Sequence, residues 1–160
     1  IANDAFELAT LINDNTIMDT SETALMLFAR ADLLMYQKKD SLAMLTLDTI
    51  QAQFSDHSLM DDILYRKANV FKSKGDYIQA AEYFQKVVDY YSYDILADNS
   101  LYYLAELYEL HLNDKEKAKE LYNKLMLDFP GSIYVIEARK RFRLLRGDKI
   151  EKLENKTLYQ

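Results

Sequence analysis

The chain has 160 residues, 49% of them hydrophobic and 29% charged, enough to bury a sizeable core, and its three glycines and one proline are too few for the turns of an all-β fold. A net charge of −6 repels phosphate backbones and argues against nucleic acid as the main partner, while the absence of cysteine removes disulfides, thiolate catalysis and cysteine-ligated zinc. The longest apolar run, Ala24 to Ala29, falls far short of the roughly 18 residues that a membrane-spanning helix needs.

Apolar residues recur at three-and-four spacing along almost the whole chain, which predicts helices over 3–13, 21–37, 40–53, 58–74, 77–91, 95–112, 115–128 and 132–146. The joints between them are short and polar. Lys39-Asp40-Ser41, Gly75-Asp76, Asn113-Asp114 and Pro130-Gly131-Ser132 supply side chains suited to cap free helix amides. Helix 3–13 carries Ala5, Ala9 and Ile12 at four and three, so it reads as the second half of an earlier hairpin in an array that extends upstream. Gly147 is expected to end the last helix in the left-handed conformation, and the tail over 147–160 has too little periodicity to dock firmly.

Laid out in register, the helices repeat in pairs. First helices carry Leu27, Ala31 and Leu34, then Leu64, Ala68 and Phe71, then Leu101, Ala105 and Tyr108. Second helices carry Ala43, Leu47 and Ile50, then Ala80, Phe84 and Val87, then Ala118, Tyr122 and Leu125. Helices approach to about 8 Å only where side chains are short, so Ala31 with Ala43, Ala68 with Ala80, and Ala105 with Ala118 are the predicted crossings. Each unit exits through an aromatic residue, Phe54, Tyr91 or Phe129, followed five positions later by Leu59, Leu96 or Tyr134.

The segment from Leu64 to Val87, with Ala68, Phe71, Gly75-Asp76-Tyr77, Ala80, Phe84 and Val87, resembles the tetratricopeptide repeat family. The resemblance implies an all-α, right-handed superhelical solenoid of antiparallel hairpins over 1–146, with repeats at about 24–57, 61–94 and 98–131, a half-repeat at 3–13 and a capping helix at 132–146. The unit is about three residues longer than the usual length of about 34. With the Asp-Phe-Pro-Gly-Ser-Ile-Tyr joint at 128–134, it is similar to the branch found in bacterial outer-membrane assembly lipoproteins and periplasmic cell-division coordinators. Arg30 and Lys67 depart from the family, standing where it often has leucine, whereas Leu104 keeps it.

No catalytic residue, metal set or cofactor motif emerges. His57 and His111 fall at a helix joint and near a helix end without metal-ligand spacing, and Asp61-Asp62 reads as a helix start favoured by the macrodipole, as do Asp94 and Asp98. The family lines its concave groove with first helices, and the matching positions are Phe28, Asp32 and Met35, then Tyr65, Asn69 and Lys72, then Tyr102, Glu106 and Glu109. The resemblance therefore implies a ladder of rings, Phe28, Tyr65 and Tyr102, flanked by polar groups that bind a protein or peptide, although aromatics at helical spacing fit equally well as core packed against the neighbouring hairpin. Asp32, Glu106 and Glu109 oppose the family's clamp for a C-terminal carboxylate. A second surface is basic, around Arg139, Lys140, Arg143 and Arg146, because residues 137–160 hold eight Lys and Arg against four acids; it reads first as a solvated terminal cap, and otherwise as a surface for an acidic partner, the acidic face of another copy or anionic headgroups.

The expected function is a non-catalytic protein-interaction scaffold, part of a larger protein of the bacterial envelope and so periplasmic. Two other classes fit the same scaffold: a regulatory module of a cytoplasmic multidomain protein, and a structural spacer that self-associates. Oligomeric state is not legible in the residues.

Overall fold

The computed structural model describes residues 22–148. Among these residues there are seven helices and no strand: α1 (Glu22–Tyr36), α2 (Asp40–Gln53), α3 (Met60–Ser73), α4 (Tyr77–Tyr90), α5 (Ala97–Leu110), α6 (Lys115–Asp128) and α7 (Val135–Arg146). The helix expected at 3–13 and the tail beyond 148 lie outside the described residues. Two compact units divide at Ser100.

In the first unit α1 packs on α2, α2 on α3, and α3 on α4. Its core joins Ala24, Phe28 and Ala31 of α1 to Leu47 and Ile50 of α2 and to Leu59, Met60 and Ile63 at the start of α3. Phe54 and Tyr91, the exit aromatics, pack against that cluster, so they connect consecutive hairpins rather than merely ending them. In the second unit α6 packs on α7, with Leu121, Tyr122, Leu125, Val135 and Ala138 buried. All six predicted crossing alanines are fully buried, which is the condition for close helix approach.

Helix starts depart from expectation by two or three residues at one kind of joint. After each exit aromatic the backbone makes two successive tight turns. The His57 amide donates to the Phe54 carbonyl and the Met60 amide to that of His57. The same pair runs through Tyr91, Asp94 and Ala97, and again through Phe129, Ser132 and Val135. These turns consume residues that helical periodicity alone assigns to α3, α5 and α7.

The other joints use helix-end chemistry. Gly75, at φ 80°, ends α3, with its amide donating to the Lys72 carbonyl and the Asp76 amide to that of Phe71. Asp76 then caps α4 by accepting from the Gln79 amide, and Asp114 caps α6 by accepting from the Lys117 amide. The expected cap at Lys39-Asp40-Ser41 does not form: Lys39 holds the N-cap position without a side-chain bond and Asp40 is already helical. Gly147, at φ 92°, ends α7 as the sequence predicts.

In repeat register α7 is a first helix, with Tyr134 at the place of Leu96, so Arg139 and Arg143 fall where α5 has Leu101 and Ala105. Both arginines are exposed on α7.

Because Ala80 is fully buried where α4 meets α3, Ala80→Leu overpacks the hairpin. The expected cost is about 1 to 3 kcal/mol in denaturant unfolding, with helical content retained.

Candidate interaction surface

The first helices carry the predicted binding positions, and the structure separates them by burial. Phe28 is covered within the α1–α3 core. Tyr65 is buried edge-on against Phe84 of α4, with ring centroids 5.7 Å apart. Tyr102 is buried and stacks on Tyr134 at 4.5 Å, with Tyr122 at 6.1 Å. The expected aromatic ladder is therefore core rather than contact area. Tyrosine combines a large apolar ring with a polar tip, and here packing has taken the ring.

The polar positions remain partly accessible, but several hold the scaffold together. Asp32 on α1 accepts from Arg66 Nε on α3 at 2.9 Å, and the Arg66 guanidinium lies 5.9 Å from the Phe28 ring centroid. Burial pushes the Asp32 carboxyl above its usual range, with Arg66 opposing that rise. Asn69 donates its amide hydrogen to the Tyr65 carbonyl at 3.0 Å, and Lys72 is half-buried on the next turn.

In the second unit Arg141 of α7 gathers the acids of α5. Its guanidinium lies 3.1 Å from Glu109, 3.9 Å from Glu106 and 3.2 Å from Glu137. Glu109 also accepts from the Tyr122 hydroxyl at 2.8 Å. Burial works against the Arg141 charge, but its bond to Glu109 and the surrounding negative groups outweigh it and push the pKa further up. Burial, and then the Glu109 bond, push the Tyr122 phenol up as well.

Asp32 and Glu106 occupy equivalent places in the repeat, and so do Arg66 and Arg141. The same clasp thus forms twice, each time joining one first helix to the next. Sequence reading found the acids and missed the arginines. Their signal was a spacing of 34 residues from Asp32 to Arg66 and 35 from Glu106 to Arg141.

Lys67 was also misread as a mere departure from leucine. It is buried, with Nζ 2.7 Å from Asp48 and 2.6 Å from Gln51 on α2, and 5.7 Å from the Tyr83 ring centroid on α4. A buried cation needs such partners, and these tie the first hairpin to the second. His57 has a structural place too. It is buried, and its Nδ1 accepts from the Leu59 amide at 3.2 Å, as Ser132 Oγ accepts from the Tyr134 amide at the equivalent joint.

The basic positions Arg139, Lys140, Arg143 and Arg146 are all exposed on α7, with Arg146 paired to Asp148. Among the described residues no three of His, Cys, Asp or Glu come together as a metal site requires, and no helix is long and apolar enough to cross a membrane.

Helical hairpins in repeat, clasped by ion pairs between successive first helices, define a repeat scaffold. The family model described as tetratricopeptide repeat matches residues 62–92 and 99–132, so the two segments α3–α4 and α5–α6 are similar to tetratricopeptide repeats. A search of curated proteins returned no match.

Asp61, in the first turn of α3, is only 8% exposed. Burial, reinforced by the charge of Asp94, pushes its carboxyl up to about 6. The folded state therefore holds a proton that the unfolded chain releases near its ordinary value of about 4. Stability is highest below that value, falls as pH rises to about 6, and levels off above it. Asp61→Asn removes this slope and adds roughly 1 to 3 kcal/mol at pH 7, measured by denaturant unfolding across pH 4 to 7.

Proposed function

We propose that the chain is a non-catalytic scaffold that captures a protein or peptide segment on the face lined by its first helices. The matched tetratricopeptide repeats carry this reading, because such repeats generally mediate protein–protein interaction. Recognition on that face is polar rather than aromatic. Asn69 and Lys72 present hydrogen-bonding groups between the Asp32–Arg66 clasp and the α3 terminus, while Glu106 and Glu109 hold their charge against Arg141. An incoming segment gains most by offering hydrogen bonds to half-buried groups of this kind, since the clasped charges already answer one another.

We place the scaffold within a larger protein of the bacterial envelope, working on its periplasmic side. The longer repeat unit and the Asp-Phe-Pro-Gly-Ser-Ile-Tyr joint support that setting through their similarity to envelope proteins. Fractionation of cells expressing the full-length protein tests it: recovery in the cytosolic fraction contradicts the assignment.

Site and core separate experimentally. A photo-crosslinking residue at Lys72 on α3 is expected to yield partner adducts in the full-length protein, and the same residue at the exposed Lys86 on α4 to yield none. Adducts at Lys86 alone reverse the assigned face. Tyr102→Ala is expected to lower the midpoint of thermal unfolding, with a stability loss of about 3 to 5 kcal/mol typical of a buried aromatic, rather than to act on capture alone.

A further inference from the structure

Two of the exposed surface patches carry both large apolar side chains and a concentrated charge of one sign. They are opposite in charge, and each carries large apolar side chains that stand exposed among the described residues.

The first patch lies on α7 and the turn before it. Ile133 and Ile136 are 83% and 80% exposed, and Leu144 is 52% exposed. Ile136, Lys140 and Leu144 follow one another at four-residue spacing, with the exposed Arg139 and Arg143 alongside. This is the outward face of α7, opposite its buried Val135 and Ala138. An apolar seam bordered by cations is how a surface asks for an acidic, partly apolar partner.

The second patch is the turn that leaves α4. Tyr90 and Ile95 are 75% and 74% exposed, Tyr93 is fully exposed, and the exposed carboxylates Asp89 and Asp94 stand among them. Between Lys86 and Lys115 the sequence holds six acids and no lysine or arginine, so no cation within this stretch offsets the patch. Exposed tyrosines beside carboxylates complement the α7 face, offering apolar rings and the opposite charge.

We propose that these patches are the two halves of one interface between copies: the outward face of α7 receives the Asp89–Ile95 turn of a second chain. The charge distribution favours a second copy over an unrelated partner, because residues 137–160 carry an excess of four positive charges while the whole chain carries −6, leaving the remainder at −10. Each chain supplies the complement that the other needs. The contact is heterologous, with different surfaces on the two sides, so association continues beyond a dimer unless the geometry closes a ring.

The test uses the full 160-residue chain in light scattering coupled to size exclusion, over a range of concentrations and salt. The expected mass rises with concentration at low salt and returns toward the 18.8 kDa monomer as salt screens the contact. R139E/R143E and D89K/D94K are each expected to be monomeric alone. Mixing the two is expected to restore association, since one keeps an intact acidic turn and the other an intact basic face. Circular dichroism melting confirms folding, and the milder R139Q/R143Q and D89N/D94N, expected to weaken association at least tenfold, serve where a charge reversal unfolds the chain. A parent chain that stays monomeric at low salt overturns the proposal, as does association that survives either reversal or variants that fail to combine. Binding to phosphatidylglycerol vesicles by a chain that remains monomeric also overturns it, and assigns the basic face to a membrane surface.

Discussion

The short side chain at each helix crossing is the constraint on which the rest depends. Two helices of a hairpin close on one another only where neither presents bulk, and Ala31, Ala43, Ala68, Ala80, Ala105 and Ala118 are all fully buried at those positions. With the spacing so fixed, the larger residues on either side have one place to go. Leu47 and Ile50 fill the first hairpin, Phe84 and Val87 the second, and Tyr122 and Leu125 the third. At α7 the seam changes character, because Arg139 and Arg143 take the places of Leu101 and Ala105.

Charge completes what packing begins. The Asp32–Arg66 and Glu106–Arg141 clasps join successive first helices, and Lys67 reaches Asp48 and Gln51 to join the first hairpin to the second. Such half-buried or buried pairs add little net stability over apolar replacements, but the loss of one partner strands the other away from water. Their value lies in register: each acid meets its arginine only when neighbouring repeats are aligned. The polar groups that resemble a recognition surface thus divide between scaffold and site. Asp32, Glu106 and Glu109 are committed to ion pairs, and Asn69 and Lys72 sit half-buried on the same first-helix face.

Much of the fold was legible because helical hairpins write themselves locally. Three-and-four spacing gave the helices, Gly75 and Gly147 gave two of their ends, and the alanine ladder gave the crossings. The starts of α3, α5 and α7 were less legible, because the double turn after Phe54, Tyr91 and Phe129 is built from residues that also fit a helix. The candidate surface was harder still. A tyrosine looks the same in sequence whether its ring faces solvent or a neighbour, so Tyr65 and Tyr102 read as a ladder although both are packed away. Asp61 looks like any acid in a first turn, and only the walls around it reveal its burial. Arg66 and Arg141 emerge only when the repeats are laid in register, since their partners lie a full unit away.

The most direct test of the crossing constraint is a double-mutant cycle between α3 and α4, pairing Ala68→Gly with Ala80→Leu and measuring unfolding free energy for all four chains. Ala68→Gly alone costs about 1 kcal/mol as glycine loosens the helix. If the alanines set the helix approach, removing the Ala68 methyl makes room for the larger side chain. The double variant then loses less than the sum of the two singles by at least about 0.5 kcal/mol. Strict additivity would show that the two positions do not share the space between the helices, and the account of the hairpin would fail with it.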